Sequence, residues 1–235
     1  MIWIKMINKP TLFSYVVRVD YGSAPNPYHD LCTLVICKPV IRRTANKNDW
    51  IVGLGSKDSP LGDISNKVVY AMKVTKKMKM KEYDGFCKEK YPGKIPDWNS
   101  SDYRRLVGDS IYDFSDPLKP KIRKSVHTEK NKERDLGGEY ALLSNDFYYF
   151  GNKPEKLPKN LLDIIKDGPG HKSKSNKIYV EEFIRWISKI PKNKDVEPIN
   201  KINPSNKDKI CGTCSECDHK DAEDDEILEK LKKCW

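Results

Sequence analysis

The fold of this chain is decided by two stretches, SYVVRVDYGSAPNPYHDLCTLVICKPVIRR at residues 14–43 and NDWIVGLGS at residues 48–56. Their apolar runs are rich in β-branched and aromatic residues, which is typical of buried strands. The first two runs enclose a polar segment in which Pro25 and Pro27 exclude regular structure, because they lack amide donors. Polar and reactive side chains crowd this segment, whereas a structural hairpin needs only turn residues. The sequence therefore predicts a functional site here.

Further strands and a helix follow along the chain. Residues 67–80 alternate well enough to cross a half-buried sheet, and residues 140–151 supply another strand. We expect Pro39 to end the second strand or to place it at a sheet edge. Residues 178–190 have apolar side chains at helical spacing, and the charged segment 119–140 is expected to be a long exposed loop. The predicted fold class is α+β, with a mostly antiparallel curled sheet or small barrel and packed helices.

Composition divides the chain of 235 residues into three parts. Residues 1–190 hold the apolar runs and form the principal domain, which is long enough to bury a sizeable core. Residues 191–210 are rich in Lys, Asn and Pro and form a linker, and residues 211–235 form a Cys-rich acidic tail. Because the linker offers few apolar groups, we expect residues from about Asn193 onward to lie outside the folded core.

The net charge is +10, from 44 Lys and Arg against 34 Asp and Glu. The acidic tail leaves a still more basic body, which is the electrostatic pattern of a protein that binds DNA or a nucleotide. Scattered lysines also simply solvate a surface, so the charge alone leaves both explanations open. The apolar run at residues 1–7 is far shorter than the roughly 20 residues that span a bilayer, and it lacks a signal-peptide pattern. We therefore expect a cytoplasmic protein with no membrane partner.

Several side chains suit recognition of a nucleotide or an unstacked base. Arg18 offers bidentate hydrogen bonds to a phosphate or a base edge, unless it pairs with Asp20 on the same strand face. Asn26, in a proline-fixed loop, offers an amide to a base edge, unless it caps its own turn. Aromatic rings add stacking surfaces. The predicted nucleotide-binding residues are Arg18, Asp20, Asn26, Lys38, Arg42, Trp50, Ser56, Tyr112 and Tyr149.

An enzyme acting on a nucleotide or base is the alternative to a binding module. Either cysteine of the first stretch can serve as a nucleophile if a histidine lies nearby, although free cysteines are most often buried hydrophobic residues. His127 or His171 can act as a base beside Asp20 or Asp109. The catalytic candidates are Cys32, Cys37, His127, His171 and Asp109. A third alternative, a structural partner in a phage or defence complex, predicts no pocket.

The C-terminal tail carries CGTCSECDH at residues 211–219, with the spacing Cys-x2-Cys-x2-Cys-x-His. Thiolates and imidazole are the ligands of tetrahedral zinc sites. The run lacks the second, distant Cys pair of zinc ribbons, so a disordered or disulfide-bonded tail is the alternative. The candidate ligands are Cys211, Cys214, Cys217 and His219, and zinc is the candidate cofactor.

The chain resembles the nucleotide-modification-associated domain family, the second of that name, found in bacteria and phages. Eight segments carry the resemblance, in the expected order: SYVVRVDYGSAPNP, CTLVICKP, IRR, DWIVGLGS, VVYAMKVT, GDSIY, LLSNDFYYFG and GPGHK. The resemblance covers about residues 12–190 and implies association with DNA or nucleotide modification, alongside other modification or defence proteins. It supplies no catalytic residues with proven roles. Family members usually have Gly before the Asp-Trp pair, where this chain has Asn48.

A second likeness concerns architecture. The hairpin formed by residues 49–56 and 68–74 is similar to the core of small barrels that recognise modified or flipped bases, the pseudouridine-synthase-and-archaeosine-transglycosylase-like (PUA-like) group. This likeness implies a PUA-like fold, although a shared fold does not fix a function.

Overall fold

The computed structural model describes residues 9–192 and 196–203. The strands are β1 (Leu12–Val16), β2 (Cys32–Leu34), β3 (Trp50–Leu54), β4 (Lys67–Lys73), β5 (Lys76–Lys79), β6 (Tyr112–Asp113), β7 (Lys121–Ile122), β8 (Tyr140–Ser144), β9 (Asp146–Tyr149) and β10 (Glu155–Lys156). The α-helices are α1 (Pro39–Thr44), α2 (Met80–Lys90), α3 (Tyr103–Leu106), α4 (Lys132–Leu136) and α5 (Val180–Ile187). Short 3-10 helices occupy Pro92–Lys94, Glu129–Asn131, Lys159–Ile164 and Ser175–Ile178. No helix in these two ranges is long and apolar enough to cross a membrane.

Two sheets are joined by a shared antiparallel ladder. In the first sheet β1 pairs in parallel with β3, β3 pairs with β4, and β4 also pairs with β9 and β10. The second sheet has the order β2-β8-β5 and is antiparallel throughout. Only two residues separate β4 from β5, and only one separates β8 from β9. The backbone N–H of Thr75 donates to the carbonyl of Leu143 at 2.8 Å, so the ladder continues from one sheet into the other.

The fold class is mixed α+β, as the sequence predicts, and most strand pairs are antiparallel. Among the described residues none of the sheets closes into a barrel, so the small-barrel and PUA-like expectations are not confirmed. The parallel β1·β3 pair departs from a simple antiparallel meander. It arises because the long connection through β2 and α1 returns the chain to the same edge of the sheet in the same direction.

The second apolar run differs from the prediction at its end. β2 stops at Leu34, and Pro39 begins helix α1 instead of ending an edge strand. Proline is well suited to the first turn of a helix, where its missing N–H has no partner to lose. Val35 and Ile36 remain buried after the strand ends, which explains why the run is apolar beyond the sheet.

The charged segment 119–140 is not the exposed loop that its composition indicates. It contains β7, a 3-10 helix and α4. It also places Val126, His127, Asn131 and Asp135 in the interior. The prediction is wrong here because solvated charged residues dominate the composition of the segment. The few buried side chains among them therefore cannot be recognised from the sequence.

Helix α5 covers the first sheet with the apolar stripe that its periodicity predicts. Val180, Phe183 and Ile187 are buried. The ring of Phe183 meets that of Trp50 edge-on, with 5.8 Å between centroids. This contact places the helix on the face of the first sheet opposite the cluster that contains Cys32 and Leu34.

The backbone conformation at residue 48 explains why this chain can have Asn where family members usually have Gly before the Asp-Trp pair. Its backbone has a φ of 78°, in the left-handed region that favours glycine. Asn is among the few other residues that tolerate this conformation. The substitution therefore preserves the turn that precedes β3.

Residues 196–203, which we call the strap, lie on the body of the protein. The backbone N–H of Asn200 donates to the carbonyl of Asp20 at 2.8 Å, and the Asn200 side-chain oxygen accepts from the Asp20 N–H at 2.9 Å. The N–H of Ile199 donates to the Asp20 carboxylate at 3.2 Å. The strap thus holds the irregular segment that follows β1.

The end of the strap joins a hydrophobic cluster. Ile202 is buried beside Tyr103, and its N–H donates to the tyrosine hydroxyl at 3.3 Å. The expectation that residues from about Asn193 onward lie outside the folded core is therefore wrong for residues 196–203. The division of the chain into a domain, a linker and a tail stays a prediction.

Truncation after residue 190 should destabilise the protein, whereas truncation after residue 203 should not. Burial of one isoleucine side chain contributes roughly 1.5–3 kcal/mol, so we expect the shorter form to lose at least about 1.5 kcal/mol. The longer form keeps every contact between the strap and the body. Urea unfolding of the three proteins measures the difference, and equal stability of both truncated forms would contradict the role of the strap.

Candidate active site

The turn between β2 and α1 carries a cysteine in an unusual backbone conformation. Cys37 and Lys38 have φ values of 57° and 43°, in the left-handed region that non-glycine residues rarely adopt. The N–H of Cys37 donates to the Asp135 carboxylate at 2.9 Å, which offsets part of the cost of this conformation. The two residues reverse the chain and place Cys37 in the wall of a cavity.

Cys37, His127 and Asp135 form a continuous line of polar contacts. The Cys37 Sγ lies 3.5 Å from His127 Nε2. The other ring nitrogen, His127 Nδ1, lies 2.5 Å from Asp135 Oδ2. His127 and Asp135 are buried, while Cys37 is partly exposed. A nucleophile, a base and a group that orients the base therefore stand in the order that nucleophilic catalysis requires.

Two further buried side chains hold Asp135 in place. The Tyr112 hydroxyl donates to Asp135 Oδ2 at 2.9 Å. The Arg42 guanidinium donates to the main-chain carbonyls of Val35 and Asp135, and so joins the cysteine turn to the aspartate helix. Gly138 leaves room for this guanidinium, because a Cβ there would overlap it.

The charges in this line stabilise one another. Burial alone would lower the pKa of His127, but Cys37 and Asp135 outweigh burial and raise that pKa to about 10. Burial alone would raise the pKa of the Asp135 carboxyl, but His127 and Arg42 hold it below its ordinary value. His127 therefore keeps its proton at neutral pH beside an ionised Asp135. An imidazolium beside a cysteine favours the reactive thiolate.

The cavity beside Cys37 has a volume of about 540 Å³. Its walls come from the end of β1, the residues after β3, the cysteine turn and the loop 165–170. Its charged lining residues are Arg18, Lys38, Lys57, Asp58, Arg134, Lys166 and Asp167. Because cations outnumber acids in this lining, the cavity favours an anionic ligand.

The structure brings two of the catalytic candidates together and separates the others from the cavity. Cys37 and His127 are in contact. Cys32 is buried with its sulfur 4.0 Å from that of Met72, and burial raises its pKa to about 12. A nucleophilic role for Cys32 would need a thiolate that this environment disfavours.

His171 and Asp109 are not among the residues that line the cavity, although His171 follows the lining residue Gly170. The His171 ring packs beside Phe13, with centroids 5.8 Å apart. Asp109 accepts hydrogen bonds from Thr33 at 2.5 Å and Tyr83 at 2.7 Å, and burial raises the pKa of its carboxyl. Both side chains belong to the packed interior.

Among the predicted nucleotide-binding residues, Arg18, Lys38 and Ser56 line the cavity. Asp20 does not pair with Arg18; it accepts a hydrogen bond from Tyr149 at 2.8 Å, and burial raises its pKa. The predicted pairing of Asp20 and Tyr149 with a ligand is thus replaced by pairing with each other.

The other predicted binding residues are also in the interior. Asn26 donates to the Val107 carbonyl at 2.9 Å and accepts from Lys94 at 2.7 Å. Trp50 packs under α5, and Arg42 and Tyr112 support Asp135 as described above. Their hydrogen-bonding and stacking capacity is used inside the protein, because long-range partners that the sequence does not reveal lie beside them.

A metal ion is the alternative occupant of the cysteine site. Potential ligand atoms of Cys37, His127 and Asp135 lie within 4.8 Å of one another. Both Asp135 oxygens, however, already accept hydrogen bonds, one from the Cys37 N–H and the other from His127 and Tyr112. A cation bound by all three side chains would have to compete with these hydrogen bonds, and it would break the contact that joins His127 to Asp135.

Sequence reasoning missed Asp135, which lies in a run where charged residues follow one another. The only local signal is the Gly137-Gly138 pair, since Gly138 is required by the guanidinium of Arg42. The candidate zinc ligands Cys211, Cys214, Cys217 and His219 lie outside the described residues.

The raised pKa of His127 predicts a pH dependence of stability. Because that pKa is about 10 in the folded protein and ordinarily 6.5, the imidazolium adds stability that is fully present below about pH 6.5 and is lost as the pH rises through 10. We expect His127→Gln to remove this decline in the free energy of unfolding. His29→Gln is the control, because burial and nearby Lys94 lower the pKa of His29. Urea unfolding across this pH range measures the free energy of unfolding of each protein. If that free energy changes with pH in the same way for the wild type and His127→Gln, the prediction is wrong.

Comparison with protein families matches residues 9–205 to nucleotide modification associated domain 2. Comparisons with curated proteins and with solved structures found no match. The matched range covers more than four fifths of the chain and includes the cysteine turn, His127 and Asp135. It also includes the strap, beyond the end at about residue 190 that the sequence resemblance indicates. The chain therefore belongs to the nucleotide modification associated domain 2 family, and the family name associates it with nucleotide modification.

Proposed function

We propose that this protein is a cysteine-dependent acyl-transfer enzyme of nucleotide modification. The observation that carries the proposal is the line from buried Asp135 through His127 to Cys37 in the wall of a basic cavity. Cys37 is the nucleophile, His127 transfers protons and Asp135 orients the imidazole. The same order of residue types serves acyl transfer on unrelated folds.

The proposed reaction has two halves. In the first, the Cys37 thiolate attacks an acyl carbon, and a carbon–sulfur bond forms as the carbonyl π electrons move to oxygen. When the carbonyl re-forms, the bond to the leaving group breaks and the leaving group takes the proton from His127 Nε2. In the second half, water or an amine attacks the thioester, His127 accepts the proton of the attacking group, and Cys37 leaves as the thiolate.

Asp135 and Tyr112 act on this reaction through His127. The contact between Asp135 and Nδ1 keeps Nε2 directed at the sulfur, so the proton is held at the atom that must deliver it. The Tyr112 hydroxyl fixes the carboxylate that makes this contact. Both are positioning residues, because neither contacts the sulfur.

A nucleotide-binding module without turnover is the second candidate function. The excess of cations in the cavity lining favours it. It requires Arg18 but assigns no role to the Cys37–His127 contact. The two candidates therefore differ in what happens when Cys37 is changed.

An activated ester tests the proposed chemistry without knowledge of the natural substrate. We expect p-nitrophenyl acetate to acetylate Cys37 faster than the tail cysteines, with an early burst of nitrophenolate. General acid–base catalysis contributes about 10²–10⁴-fold, so His127→Gln should slow acetylation of Cys37 by at least about 100-fold. Peptide mapping by mass spectrometry locates the adduct.

Cys37→Ala and Cys32→Ala form a matched pair for this assay. Cys37→Ala should abolish the burst, and Cys32→Ala should keep it, since Cys32 is buried away from the cavity. If Cys37 is acetylated no faster than Cys211 and His127→Gln has no effect on that rate, the proposed enzyme is contradicted. The nucleotide-binding module would then be the remaining candidate function.

A further inference from the structure

We infer that the substrate carries a phosphate group, which Arg18 and Lys57 bind at the end of the cavity opposite the thiol. This inference rests on the proposed function for the identity of the reacting end, and on the cavity lining for the rest. It adds to the proposed reaction the chemical class of the substrate and the orientation of the substrate in the cavity.

The lining residues define two ends of the cavity. At one end Lys38 follows Cys37, and its ammonium lies 4.9 Å from the centroid of the Tyr15 ring. Arg18 follows Tyr15 by three residues, a span of up to about 10 Å in an extended chain. Arg18 is thus separated from Cys37 and Lys38 along the direction of β1.

Strand register places two cations at the far end. β1 and β3 run in parallel, with Val16 opposite Leu54, and the N–H of Val17 donates to the Leu54 carbonyl at 2.8 Å. Arg18 therefore lies beside the residues that follow β3, among them Lys57. Both belong to the cavity lining, just beyond the carboxyl ends of two parallel strands, where ligands of mixed sheets commonly bind.

Both cations are exposed, and within residues 9–192 and 196–203 no salt bridge joins either of them to a carboxylate. Lys57 lies close enough to Asp63 to help lower the pKa of that carboxyl. By contrast the exposed Arg104 and the partly buried Arg123 are paired with carboxylates. An arginine that is not engaged by a carboxylate can form two parallel hydrogen bonds with a phosphate. The lysine adds a second positive charge for the same group.

The size of the cavity suits a small-molecule ligand such as a single nucleotide. A volume of about 540 Å³ lies within the range of about 300–1,000 Å³ for small-molecule sites. A base in a duplex would have to leave the stack to reach Cys37. The inferred ligand is therefore a nucleoside with a phosphate at one end and the acyl group on its base side. It is either a free nucleotide or an unstacked residue of DNA.

Binding to the Cys37→Ala protein tests phosphate recognition without turnover. Isothermal titration with the four deoxynucleoside 5′-monophosphates and the matching nucleosides should show at least tenfold tighter binding of a monophosphate. Arg18→Gln should remove most of that difference, and Arg18→Lys should restore part of it. Arg185→Gln is the control, because Arg185 is exposed on α5 and does not line the cavity.

Single-stranded and duplex oligonucleotides distinguish the source of the phosphate. Tightest binding of monophosphates indicates a free nucleotide, and tighter binding of an oligonucleotide that also depends on Arg18 indicates DNA. Equal binding of nucleosides and monophosphates, equal effects of Arg18→Gln and Arg185→Gln, or no binding of any probe would overturn the inference. Acetylation of Cys37 does not involve Arg18, so failure of phosphate recognition with normal acetylation would overturn this inference and leave the proposed reaction standing.

Discussion

The rest of the candidate site depends on one buried carboxylate, that of Asp135. It accepts hydrogen bonds from the Cys37 N–H, from His127 and from Tyr112, while its main-chain carbonyl accepts from Arg42. These partners come from segments separated by up to 98 residues. A buried charge is stable only when such partners surround it, and loss of one partner exposes the full desolvation cost of the charge. The same carboxylate therefore organises the local fold and the reactive side chains.

A second polar network shows what a purely structural arrangement looks like in this protein. The fully buried Lys94 ammonium donates to Asn26, Thr33 and the carbonyl of Leu31, and Asp109 accepts from Thr33 and Tyr83. Here burial lowers the pKa of Lys94, and every donor points at a partner in the interior. The network around Asp135 differs in one respect, since its chain of contacts ends at a sulfur atom in the wall of a cavity.

The sequence predicts the fold class and its apolar elements because hydrophobic periodicity reflects burial directly. β3, β4 and α5 fall in the segments where this pattern is strongest. The site is predicted only in part. Cys37, His127 and Arg18 are recognisable as rare or reactive side chains, but Asp135 is one acid among many, and Asp20, Asn26 and Arg42 look equally suited to a ligand. Whether such a side chain faces a cavity or the interior depends on partners about a hundred residues away, and a single sequence does not contain that information.

The ladder that runs through both sheets has a consequence for selectivity. The turn that holds Cys37 follows the second sheet, whereas Arg18 and Lys57 follow strands of the first. Because β4 and β5 pair continuously with β9 and β8, the strands that lead to the two ends of the cavity belong to one hydrogen-bonded frame. This frame holds the backbone of β1 and β3, which Arg18 and Lys57 follow, in a set position relative to the strand that leads to Cys37. On the function proposed above, such a frame would select a substrate by the length from its phosphate to its reacting carbon, in addition to its chemical groups.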